Sequence, residues 1–182
     1  MLVSEGDIGI RLMEDREDDY RKLHYWSNQK HIMETYSGRE WSLLEIEEKY
    51  RKRVNGTEHV VPAFIVYKGK DVGYLQFYEI DDDSYETQGT LKIEDDAYAI
   101  DLFIGEKDLL GKGIGRRTVT LACDYLFKTM GASAVYVDPR TENERGIRTY
   151  SGAGFERICV ISRREMFGGC LHDSLIMRKE RK

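Results

Sequence analysis

Ile100-Asp101-Leu102-Phe103-Ile104-Gly105, followed after a short loop by Gly111-Lys112-Gly113-Ile114-Gly115-Arg116-Arg117, decides how the chain reads. An apolar, strand-like run carries a single acid, Asp101. Three glycines at every second position then lead into a segment of helical periodicity with two arginines. A strand, a glycine-rich turn and a helix N-terminus together form an anion site. Glycine permits positive φ and close approach of the backbone, and the first N–H groups of the helix point at the anion with the dipole behind them. Lys112, Arg116 and Arg117 are nearby cations that cannot all face one ligand. Residues 116 and 117 lie about 100° apart on a helix, so Arg116, one turn beyond Lys112, is the better placed and Arg117 reads as solvent-exposed.

Two familiar phosphate loops do not fit. The nucleotide P-loop places four residues between its first glycine and a Gly-Lys-Ser/Thr end. Here five residues separate Gly105 from Gly111, and Gly113 stands where the hydroxyl belongs. The dinucleotide pattern Gly-x-Gly-x-x-Gly fails as well, because the spacing is Gly111-x-Gly113-x-Gly115.

The bulk properties narrow the class. At 182 residues, with 41% hydrophobic and 34% charged residues, the chain has the size and composition of one globular domain, residues 1–182. A formal net charge of −5 argues against nucleic acid and anionic membranes as partners and favours a cationic one. Cys123, Cys159 and Cys170 have neither metal-ligand nor disulfide-framework spacing, and read as reduced thiols of a cytoplasmic protein. Met1 to Gly9 lacks the apolar core of a signal peptide, and no apolar run is long enough to span a bilayer. His24, His31, His59 and His172 lack ligand spacing or triad partners, so no metal and no histidine catalysis is expected.

Taken in order, Ile8–Leu12 alternates as a first strand, and Glu14–Asn28 is a polar helix with Tyr20, Leu23 and Trp26 at threes. His31–Trp41 reads as loop. Ser42-Leu43-Leu44-Glu45 is a capping-box signature for a helix running to about Val54. Val60–Tyr67 and Val72–Ile80 form a hairpin around Lys68-Gly69-Lys70-Asp71. The stretch from Asp81 to Asp96, with acids at Asp81, Asp82, Asp83, Glu86, Glu94, Asp95 and Asp96, reads as a solvated loop. The Tyr98–Ile104 strand, the glycine turn and a helix to about Met130 follow. Then come a buried strand Ala134–Val137, a helix Asn143–Gly152, a strand Phe155–Ile161, a break at Gly168-Gly169 and a last strand Leu171–Met177. A meander followed by alternating strands and helices makes the class α/β, a mixed central sheet flanked by helices.

The glycine turn resembles the coenzyme A pyrophosphate loop of the GNAT acetyltransferase superfamily, Gln/Arg-x-x-Gly-x-Gly, with Leu110 departing from the pattern at its first position. Asn143-Glu144-Arg145-Gly146-Ile147-Arg148-Thr149-Tyr150, continued by Gly154-Phe155, is similar to the superfamily's Asn-x-x-Ala-x-x-x-Tyr-x-x-x-Gly-Phe block, with Gly146 in place of the alanine. A fuller set, comprising His31-Ile32, Tyr36, Gly38, Gly73-Tyr74, Gln76, Asp101, Leu110 to Gly115, Asp138-Pro139, Arg148 and Tyr150, resembles the aminoglycoside 6'-N-acetyltransferases across most of the chain.

That resemblance implies a GNAT-like domain whose central sheet splays near the Asp101 strand, with acetyl-CoA as cosubstrate and a polycationic aminoglycoside as acceptor. It implies that Ile104, Gly111, Lys112, Gly113, Ile114, Gly115, Arg116 and Asn143 bind the coenzyme. It places Asp101 at the accepting amine, Tyr150 near the coenzyme sulfur to protonate the departing thiolate, and Tyr36 and Asp138 with Asp101 at the acceptor. Bland alternatives remain beside each: an internal ion pair for Asp101, a core tyrosine for Tyr150, a helix N-cap for Asn143, a turn residue for Asp138. For Tyr36 and Trp41 core packing is as good a reading as a pocket wall. Two rival functions stay open: the same chemistry on a polyamine, a siderophore hydroxylysine or a protein amine, and a sensor that holds acetyl-CoA without turnover. Monomer and homodimer are equally compatible with the sequence.

Overall fold

The computed structural model describes residues 1–85 and 91–181, which divide into two compact units: Met1–Phe77 with Asp101–Leu121, and Tyr78–Ile100 with Ala122–Lys182. In the first, β2 (Ile8–Leu12), β3 (Val61–Tyr67) and β4 (Lys70–Ile80) form an antiparallel meander, with β1 (Val3–Glu5) paired outside β2. The β3–β4 connection is tighter than the sequence suggested. Tyr67 pairs with Lys70 across Lys68 and Gly69, whose φ values of 50° and 77° match the paired left-handed residues of a type I′ hairpin turn. Strand β1 is unforeseen, because a three-residue, largely exposed segment carries no alternation to read.

Helices α1 (Glu17–Ser27) and α3 (Leu43–Val54) belong to this unit. Tyr20, Leu23 and Trp26 bury together with Ile46, Tyr50, Phe64, Tyr74 and Phe103 in one core cluster, so the threefold spacing in α1 is the buried stripe. Ser42 and Glu45 make the expected reciprocal capping box. The expected loop at His31–Trp41 is a correction: a short helix α2 (Lys30–Ile32) widens into a π-helical turn at Met33–Ser37 that ends on Gly38. The amide of Gly38 bonds back to the carbonyl of Met33 at 3.1 Å, and such wide single turns leave little periodicity in the sequence.

Buried charge ties the sheet to α1. Arg11 on β2 meets Asp19 at 2.8 Å and Asp71 at 2.7 Å, and Arg16 meets Asp19 at 2.9 Å. Burial pushes the Asp19 carboxyl up, but hydrogen bonds from Arg11, the Glu14 amide and Arg16 together bring it from 3.8 down to about 2. Because the folded value is the lower one, this contribution is present above about pH 4 and is lost as the pH falls toward 2. Asp19→Asn is expected to remove about 3 kcal/mol of stability at neutral pH, since it removes the negative charge that faces the Arg11 and Arg16 guanidinium groups in a buried setting. In a chain of this length that lowers Tm by roughly 6–12 °C, and the loss should shrink in acid. Equal melting temperatures at pH 7 would show the network to be ornamental.

Strand β5 (Ala97–Ile104) starts in the second unit, where it runs parallel to β6 (Ala134–Val137), with Tyr98 opposite Val135 and Ala99 opposite Tyr136. Strand β6 pairs antiparallel with β8 (Cys170–Glu180), which pairs antiparallel with β7 (Glu156–Phe167). The sheet is therefore mixed and the class α/β, as its strand and helix alternation required. Helices α4 (Ile114–Tyr125), extended by a π-helical turn to Met130, and α5 (Glu144–Gly152) stand where the periodicity put them.

Strands β7 and β8 both outrun the expected Phe155–Ile161 and Leu171–Met177. A bulge between Ile161 and Glu165 hides the continuation: Arg163 adopts φ 55°, and its amide donates to Asp173 at 2.8 Å. The acidic stretch is also more than a solvated loop. Glu94 accepts from the Tyr136 hydroxyl at 2.6 Å and pairs with Arg178 at 2.5 Å, while Asp82 accepts from the Ile93 amide at 2.7 Å. Glu86 lies outside the described residues.

Candidate active site

The glycine turn has the conformation that the sequence demanded. Gly111 and Gly113 sit at φ 75° and 76°, and a Cβ built on either would meet nothing within 4 Å, so both backbones border open space. The carbonyl of Gly113 accepts from the Arg117 amide at 3.1 Å, which makes Gly113 the flanking residue of α4. The amides of Ile114, Gly115 and Arg116 therefore lie in the unpaired first turn, the donors an anion would use. Ile114 contributes backbone only, its side chain being 2% exposed. Lys112 and Arg116 are exposed beside the turn. Arg117, expected to face solvent alone, is exposed but paired with Asp7.

The half-buried Asp101 on β5 accepts a hydrogen bond from Gln76 Nε2 at 2.7 Å. Gln76 in turn accepts from Arg53 Nη1 at 2.6 Å and from the Tyr74 hydroxyl at 2.9 Å. Tyr36 packs edge-on against Phe103 with ring centroids 4.8 Å apart. Burial holds the hydroxyls of Tyr36 and Tyr74 well above the ordinary tyrosine value and that of Tyr50 at about 12, each raised further by the Asp101 charge, so all three stay protonated at neutral pH. Burial also lowers the Lys49 ammonium, helped by the charge on Arg53. The Ile104 carbonyl lies 3.2 Å from His31 Nε2. Trp41 packs at the margin of the core cluster with Arg39 and Lys49 over its ring, at 3.9 and 4.7 Å.

The second unit carries Asp138, Asn143 and Tyr150. Asp138 follows β6 and is bound by Arg164, which the β7 bulge turns toward it and which also donates to the Ser84 carbonyl at 3.3 Å. Next to it, Arg140 pairs with Glu165 at 2.9 Å and lies 3.4 Å from the centroid of Phe167. Asn143 caps α5, its side chain accepting from the Gly146 amide at 3.0 Å. A Cβ at 146 would stand 2.7 Å from Asn143 Nδ2, so the glycine that departs from the superfamily's alanine makes room for this cap. Tyr150 is 9% exposed, with its ring 5.8 Å from Phe155.

Sequence reasoning missed Arg53 and Arg164 as partners of these acids. Gln76 gave a faint signal, a lone amide inside the apolar run Val72–Ile80, whereas Arg53 looked like an ordinary basic residue in the last turn of α3. Side chains 23 to 26 positions apart leave no local pattern.

A turn with unpaired first-turn amides thus follows the strand that carries an oriented carboxylate, and comparison with known proteins gives the family. Residues 15–162 match the family model for the acetyltransferase (GNAT) domain. An aminoglycoside N(6')-acetyltransferase type 1 of Klebsiella pneumoniae is 32% identical over 158 residues, covering 85% of this chain and 76% of that protein. A crystal structure of aminoglycoside acetyltransferase AAC(6')-Ib with coenzyme A superposes with a TM-score of 0.80 at 28% identity, covering 96% of this chain and 95% of that one. The same enzyme with paromomycin and acetyl-CoA gives a TM-score of 0.81 at 28% identity, over 97% and 94% of the two chains. This chain belongs to the aminoglycoside 6'-N-acetyltransferase family of the GNAT acetyltransferases.

Proposed function

We propose that residues 1–182 act as one GNAT domain that transfers the acetyl group of acetyl-CoA to the 6'-amine of aminoglycoside antibiotics, and so confers resistance. The observation that carries this reading is Asp101, a carboxylate held by Gln76 on the strand that leads into the left-handed Gly111 and Gly113. Relatives named for this reaction support the choice of acceptor.

In this reading the first-turn amides after Gly111 and Gly113 hold the pyrophosphate, with Lys112 and Arg116 as its cations. Ile104 and Asn143 engage the pantetheine arm through hydrogen bonds, the Asn143 side chain sharing this role with its cap. The neutral amine attacks the thioester carbonyl in a ternary complex, the C–S bond breaks, and Tyr150 gives its proton to the thiolate. Binding the two reactants together supplies much of the acceleration. Asp101 positions the amine and receives its proton, directly or through water. A carboxylate beside an ammonium raises the amine's pKa, so positioning is the larger part of its role. Tyr36 borders the acceptor, and Asp138 meets it as an acceptor of hydrogen bonds whose charge Arg164 already balances.

Release of coenzyme A thiol, measured against a panel of an aminoglycoside, a polyamine, a hydroxylysine derivative and a lysine peptide, tests the proposal. An aminoglycoside should lead the panel by a wide margin. A polyamine or peptide in first place would keep the chemistry and replace the acceptor. Lack of turnover on every amine would favour an acetyl-CoA sensor.

A further inference from the structure

Strand β5 does not hold the Asp101 carboxylate by itself. Gln76 on β4, only 8% exposed, donates Nε2 to Asp101 Oδ2 at 2.7 Å. Its Oε1 accepts from Arg53 Nη1 at 2.6 Å and from the Tyr74 hydroxyl at 2.9 Å. A guanidinium can only donate, so the amide oxygen must face Arg53 and the NH₂ must face Asp101. Arg53 is itself fixed: it sits in the last turn of α3, where the helix dipole favours a cation, its Nε donates to Glu58 at 3.1 Å, and it packs over Tyr50 at 5.1 Å. A guanidinium so far removed from water needs partners, and one of those it has is the amide that grips Asp101.

We infer that Gln76 and Arg53 are positioning residues for acetyl transfer: Gln76 fixes Asp101 Oδ2 through its donated N–H, and Arg53 polarises and orients Gln76. The inference rests on the role proposed above for Asp101. Within the same unit, Tyr36, Lys49, Tyr50, Arg53 and Tyr74 act electrostatically on Asp101 or on this network. The three tyrosines are held neutral at working pH, which leaves Arg53 and Lys49 as the cations of that group.

Gln76→Glu separates this role from a structural one. The new side chain has the same shape and still accepts from Arg53 and Tyr74, but when ionised it cannot donate to Asp101 and sets a second carboxylate against it. The protein should fold with its KM for acetyl-CoA unchanged. Its kcat/KM for the amine should fall roughly tenfold or more, the scale of one hydrogen bond to a charged group. The acidic limb of the pH profile should move up by about one unit or more, because the carboxylate is then less stabilised. Gln76→Leu should shift both readouts the same way. Arg53→Met should do so more weakly, and the double variant Gln76→Leu/Arg53→Met should be no worse than Gln76→Leu, since Arg53 acts through the amide. If both Gln76 variants fold and keep the parental kcat/KM and acidic limb while Asp101→Asn is impaired, the inference is overturned and the proposed function stands. If Asp101→Asn is itself unimpaired, both fall. Additive losses in the double variant would overturn the part assigned to Arg53.

Discussion

Gly113→Asp is expected to raise KM for acetyl-CoA on the order of 10²-fold or more while leaving the fold intact. Gly113 adopts φ 76°, a left-handed conformation that Asp tolerates at a cost of roughly 1–2 kcal/mol, and its would-be Cβ meets nothing within 4 Å. The substitution therefore strains the turn without a clash. What it changes is the ligand side. A carboxylate would stand beside the unpaired amides of the first turn of α4, satisfying them from within and repelling a pyrophosphate. Hydrogen bonds to charged groups are worth about 1.5–3 kcal/mol each, and losing two of them already costs more than 10²-fold in affinity. KM for the acceptor should change far less. A folded variant with parental acetyl-CoA kinetics would remove the phosphate role from this turn.

Asp101→Asn should do the opposite, sparing the coenzyme and losing the amine. The amide keeps the shape of the carboxylate, and its oxygen still accepts from Gln76 Nε2, so the network through Arg53 survives. Only the charge disappears. An acceptor ammonium then loses its counter-charge and its proton acceptor together, and kcat/KM for the amine should fall roughly 10²-fold or more, in the range that general acid–base groups contribute. Thermal stability and KM for acetyl-CoA should stay near parental values. Near-full activity at neutral pH would deny Asp101 any part in binding or chemistry.

Features that are local in the chain were legible in the sequence. A tight left-handed turn before a helix needs glycine at short spacing, and Gly111 and Gly113 have the φ values that this requirement implies. The Ser42–Glu45 box spans one turn, and the Tyr20, Leu23, Trp26 stripe follows from helix geometry alone. Asp101 stood out because a lone acid in an apolar strand has to be accounted for. What stayed hidden depends on distant partners. The tether of Asp101 is assembled from α3, β4 and β5, and neither Arg53 nor Gln76 announces the other. Asp138 is likewise bound by Arg164, which the β7 bulge re-aims from 26 positions away. The bulge also concealed the length of β7, since an inserted residue breaks the period of two on which strand reading rests. The helical character of residues 30–37 was lost for a related reason, a wide turn without the 3.6-residue repeat.

Two natural drugs that differ at the 6' position, where we propose that the acetyl group goes, separate that site from the other amines. Neomycin carries an amine at that position and paromomycin a hydroxyl, with the rest of the scaffold the same. The measurement is thiol release with each drug at saturating acetyl-CoA, together with inhibition of neomycin turnover by paromomycin. Neomycin should be acetylated readily. Paromomycin should bind through its remaining ammonium groups and inhibit competitively, turning over poorly or not at all, because a hydroxyl is a far weaker nucleophile than a neutral amine and Asp101 is not arranged to deprotonate an alcohol. Efficient acetylation of paromomycin at one of its amines would contradict the 6' assignment.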